Sequence, residues 1–200
     1  MRIRAHLLVG LGAVLALCAT LGLVVAFASA APAKAKHVRW DIVSLAFTTP
    51  PTLNPGGFAD ATAPDGTTIR LRGSGTFVAP SGQGKGSNGA SGGGTWQILP
   101  SGPSGTYQAT GLADFEFANF QSPGLNDNIG DTNERANGNA VLTIQYSDGE
   151  SGTLVIGCHG PGAPAGIFEG VTATKGFKTY DEPLEPAPGV DANRTIFHVR

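Results

Sequence analysis

A chain of 200 residues with 40% hydrophobic and 14% charged side chains can build one domain on its own core, without metal or disulfide staples. Its formal net charge of −2, with no polybasic cluster, excludes nucleic acid and anionic lipid as electrostatic partners. Thirty Gly and fourteen Pro describe a chain full of turns rather than long helices.

Residues 1–30 read as a targeting segment. Arg2 and Arg4 form a positive start, 7–27 is apolar, and Ala28-Ser29-Ala30 is a small-residue cleavage site. The apolar run is long enough to span a bilayer as an uncleaved anchor. Gly10, Gly12, Thr20 and Gly22 dilute it, however, and the well-formed cleavage motif favours removal. A secreted, extracytoplasmic protein with no membrane contact after cleavage is expected. The remaining chain carries 11 basic and 15 acidic side chains, net −4, and a single cysteine, Cys158. One thiol forms no internal disulfide, so the fold must rest on its core.

A short tether, 31–37, leads into a domain over 38–200. Strand signals then recur. The first is 38–47 (VRWDIVSLAF), closed by Pro50-Pro51 and a Pro/Gly-rich loop to Gly66. The second, 67–79, alternates at Ile69, Leu71 and Phe77, with Gly73 and Gly75 suggesting a bend or bulge. A flexible loop with seven Gly over 80–94 precedes a short strand at 95–99 (TWQIL). In 106–118, Ala113, Phe115 and Phe117 alternate with Asp114 and Glu116, which predicts one dry and one wet face. A polar loop covers 120–137.

The clearest signal is a three-strand meander. Apolar, β-branched runs at 140–146 and 153–158 flank the polar turn 147–152, and a third run spans 167–174 after a Gly/Pro loop. A last strand, 195–199 (TIFHV), brings the number to eight. With no helical periodicity beyond two turns outside the targeting segment and no repeat, the chain reads as all-β, a sandwich or barrel.

Certain phrases occur together: Gly94-Thr95-Trp96, Gly157-Cys158-His159, Phe168-Glu169-Gly170-Val171-Thr172 before Lys175-Gly176-Phe177, and Asn193-Arg194-Thr195-Ile196-Phe197-His198-Val199. Over about 38–200 they resemble a group of exported bacterial proteins related in pattern to the allene oxide cyclase and dirigent barrels. That resemblance implies a single antiparallel eight-stranded calycin-like β-barrel and, by analogy, a homo-oligomer, with trimers common. Plant cyclases hold a carboxylate, polar side chains and a water inside an apolar barrel; those residues have no one-to-one match here.

The candidate site residues are Glu169, Cys158 and His198. Cys158 and His159 are adjacent, so on a strand they point to opposite faces and cannot pair. A nucleophilic Cys158 would need His198 as its base; the competing reading is a buried structural thiol. Glu169 lies in an apolar run. Turned inward it would have a raised pKa and acid–base capacity; turned outward it would be a solvated charge or a partner for Arg194. Asp114 and Glu116 read as the wet side of their strand. The segment 126–139 is rich in oxygen ligands but departs from calcium-loop spacing at Arg135 and Leu142, and His6, His37, His159 and His198 lack zinc spacing. Asn193-Arg194-Thr195 is a glycosylation sequon by pattern. No phosphate loop, nucleophile elbow or dinucleotide fingerprint occurs, so no cofactor and no metal is implied.

Three functions follow. The first is a barrel that binds a small apolar ligand, with loops 48–66, 80–94 and 119–137 around its openings. The second is a cyclase-type isomerase on a lipid-like substrate, with Glu169 or Cys158 as acid–base group. The third is a structural exported protein whose barrel is filled by its own side chains. What points inward discriminates them.

Overall fold

The computed structural model describes residues 35–79 and 89–200. The segment 1–30 expected to be a targeting signal, most of the 31–37 tether and the centre of the Gly-rich loop lie outside these residues. Thirteen strands form one sheet: β1 (Lys36–Ala46), β2 (Thr52–Pro55), β3 (Ala59–Thr62), β4 (Thr68–Ala79), β5 (Ala90–Leu99), β6 (Ser104–Phe120), β7 (Asn126–Asp127), β8 (Arg135–Tyr146), β9 (Ser151–Cys158), β10 (Gly170–Lys175), β11 (Lys178–Tyr180), β12 (Glu182–Pro183) and β13 (Arg194–Val199). The all-β reading holds. Among the described residues no helix is long and apolar enough to cross a membrane.

All eight expected strands are present as β1, β4, β5, β6, β8, β9, β10 and β13. Five short ones were not expected. The 48–66 loop contains β2, which pairs with the end of β1, and β3, which pairs with β4. The 80–94 loop ends early, because β5 begins at Ala90 and its glycines pair in register with β4. The 119–137 loop holds β7, a 3₁₀ turn over Thr132–Glu134 and the start of β8. Two to four residues offer too little alternation for a strand signal; their partners' open edges recruit them. All pairs are antiparallel except β2 with β7.

Connectivity returns on itself. Strand β1 pairs with β4, β4 with β5, β5 with β6 and β6 with β8. Strand β13 then joins β1 along Val38–Val43 and meets β8 at Ala136 and Arg135. The meander β8–β9–β10 is present, and β10 starts later than expected, at Gly170. Its first turn is closed by Tyr146 N–H to Glu150 O at 2.8 Å and Gly149 N–H to Tyr146 O at 3.1 Å. Gly149 adopts φ 92°, a conformation that a side chain would strain, and Asp148 accepts the Glu150 N–H.

The enclosed face is packed with side chains. Trp40, Ile42, Ile69, Leu71, Phe77, Leu142, Leu154 and Ile156 are fully buried. One aromatic group joins Phe77, Phe115 and Phe197, with ring centroids 5.0 to 6.2 Å apart; a second joins Trp96, Tyr107 and Tyr146. Gly73 and Gly75 do not bend β4, whose ladder with β5 runs without a break. They make room instead. A Cβ on Gly75 would collide with the Ser91 carbonyl and lie 2.8 Å from Trp40 Nε1, and one on Gly73 would collide with the Tyr107 hydroxyl. The bulges fall in β6, at Ala109/Gly111, Leu112/Asp114 and Phe117/Asn119. The second of them turns Ala113 outward beside Asp114, against the expected alternation, while Phe115 and Phe117 stay half-buried.

Candidate functional site

Strand β13 is buried on both faces, which places its alternating residues in two environments. Thr195 and Phe197 face the packed interior. Ile196 and His198 face the opposite way, beneath the segment 121–134 that lies over β1 and β13. A cleft of about 240 Å³ opens at the margin of this cover, with Leu45, Leu53, Leu125 and Ile196 as its aliphatic walls.

Glu169, Arg194, Gln121 and His159 complete the lining. Glu169 lies just before β10, in the stretch expected to be strand. The chain turns there, and Gly170 at φ 111° opens the ladder. The carboxylate accepts the His159 N–H at 2.5 Å on Oε2, and on Oε1 the Thr195 N–H at 2.6 Å and the Thr195 hydroxyl at 3.4 Å. It therefore ties the end of β9 to β13. Burial pushes its pKa up to about 7, against the opposing pull of these donors and of Arg194 nearby.

Arg194 forms no side-chain hydrogen bond or ion pair among the described residues, and its Nε is buried without a partner. The partnership with Glu169 considered from the sequence is thus a field effect, not a salt bridge. Gln121 donates from Nε2 to Cys158 Sγ at 3.3 Å, while its Oε1 is buried with no partner.

Cys158 is fully buried at the end of β9, with Leu154 and Ile156 facing inward before it and His159 exposed after it. Its thiol donates to Thr195 O at 3.4 Å. Burial and the neighbouring Glu169 hold its pKa well above the ordinary thiol value, so the thiolate is disfavoured. Thr195 joins Cys158 and Glu169; His198 belongs elsewhere. Its Nε2 bonds Asp127 Oδ2 at 2.9 Å, both side chains fully enclosed, and its Nδ1 has no partner. Asp127 is held in turn by the Ile129 and Gly130 N–H groups. Of the three candidates, the fold unites two and sets the third in a separate buried pair.

Arg194 and Gln121 were not candidates for chemistry from the sequence. Arg194 entered only as a possible partner for Glu169, Asp127 only as one oxygen donor of the segment 126–139, and Gln121 carried no signal within its polar loop. The sequon Asn193-Arg194-Thr195 cannot be used in the folded chain. Asn193 is buried at φ 59°, its Oδ1 accepts the Asp60 N–H and its Nδ2 donates to Glu185 O. Asp114 and Glu116 are exposed, on the wet side as expected. In the oxygen-rich segment, Asp131 is occupied by Asn133 N–H, and among the described residues no three His, Cys, Asp or Glu side chains cluster as metal ligands. No protein-family model, curated protein or solved structure matches this chain.

Proposed function

We propose that this is an exported calycin-like barrel that binds a small apolar molecule in the cleft between β13 and the segment covering it. The barrel reading draws on the eight long strands and on ladders that return from β13 to β1. A ligand inside the barrel would compete with Trp40, Phe77, Phe197 and Tyr107, so the binding site lies outside that packed face. The observation that carries the proposal is a concave aliphatic surface on which a few polar groups converge, the usual make-up of a small-molecule site. Native mass spectrometry of the protein purified from its own source tests it. A copurifying small-molecule mass is expected. A bare mass, together with no binding of apolar probes, would overturn it in favour of the structural role that the filled interior supports.

A second reading, a cyclase-type isomerase acting on a lipid-like substrate, draws on Glu169. A carboxyl group with a pKa near 7 in an apolar cleft suits acid–base work. Against it, both oxygens are already engaged by backbone donors that hold strands together. Under this reading E169Q abolishes turnover of a lipid-like substrate while the chain stays folded.

A further inference from the structure

The cleft contains an unmatched charge. A guanidinium presents five donors and stays protonated at any physiological pH, so one placed against aliphatic walls needs an acceptor of opposite charge. Arg194 has none. Its Nε is enclosed without a partner, and no ion pair links it to Glu169, whose oxygens are taken by His159 N–H, Thr195 N–H and the Thr195 hydroxyl. The aliphatic walls formed by Leu45, Leu53, Leu125 and Ile196 lie in the same cleft.

We propose that the cleft selects aliphatic carboxylates, the headgroup paired with Arg194 and the chain lying on Leu45, Leu53, Leu125 and Ile196. This rests on the cleft being a ligand site. A carboxylate matches the guanidinium with two parallel N–H···O bonds to its Nη groups, which unlike Nε are not enclosed. A neutral amide or alcohol fills the donor but leaves the charge unbalanced. The unpartnered Gln121 Oε1 repels an anion, which places the headgroup at the Arg194 side. Size limits what the cleft can cover: about 240 Å³ is less than the ~300–1,000 Å³ typical of sites for drug-sized ligands, so the far end of a long acyl tail stays in solvent and adds no affinity.

The test is isothermal titration of the full chain with hexanoate, hexanamide and hexadecanoate, at about pH 6 so that Glu169 is mostly neutral. Hexanoate should bind at least about tenfold more tightly than hexanamide, the difference expected of a charge-assisted pair. R194Q should abolish that preference, so that hexanoate binds no more tightly than hexanamide. Equal binding of hexanoate and hexanamide by the wild type overturns the carboxylate proposal and leaves the cleft as a ligand site. No binding of any probe overturns both. Hexadecanoate binding more tightly than hexanoate overturns the size limit. Should R194Q fail to fold, the wild-type ratio decides.

Discussion

Two buried carboxylates behave differently because their surroundings differ. Asp127 has a histidine and two backbone N–H groups; Glu169 has backbone and hydroxyl donors but no ion-paired cation. Since the folded pKa of Glu169 is raised from 4.5 to about 7, the folded state holds a proton that the unfolded chain has released. Its contribution to stability is therefore complete below about pH 4.5 and is lost as pH rises toward 7. Urea unfolding across that range should show wild type losing its advantage over E169Q as pH rises; a constant difference would contradict the assignment. Removing Asp127 strands a buried imidazole and two N–H groups, so D127A should cost about 3–5 kcal/mol, measured by chemical denaturation. Legibility at this scale was uneven. Glu169 stood out as a charge within an apolar run, and Cys158 as the one cysteine of the domain. Asp127 and Gln121 were hidden in polar loops, because side-chain partnership across 37 or 71 positions leaves no local trace.

At the scale of elements, alternation located every long strand because each has a dry face. It failed at β2, β3, β7, β11 and β12, none longer than four residues, whose pairing is imposed by neighbours. Gly73 and Gly75 were legible as special but not for the right reason. Their place opposite Trp40 and Tyr107 depends on rings from distant strands, which no window of sequence contains. G75A should therefore lose at least ~1–3 kcal/mol from overpacking. The outward S74A substitution beside it should stay within about 0.5 kcal/mol. Thermal or urea unfolding of the two variants checks the contrast.

For the molecule as a whole, the decisive pairing is β1 with β13, strands separated by most of the chain. Deleting 194–200 removes the partner of β1, both donors from Thr195 to Glu169 and the Ile196 wall of the cleft. Such a chain should lose the cooperative unfolding transition and aggregate through its open β1 edge, seen by circular dichroism and light scattering. Refolding of the intact protein should be slow, in the ~ms–s range of all-β chains dominated by distant contacts.

His37 and Arg200 exchange two backbone hydrogen bonds, at 3.1 and 2.9 Å, where β1 and β13 end side by side. A ribosome makes His37 long before Arg200. Strand β1 is thus left waiting with one edge bare until β13 emerges, and the domain cannot lock shut before then. If the chain is exported unfolded, as the proposed function has it, that delay is useful: the architecture itself postpones folding until β13 has been made.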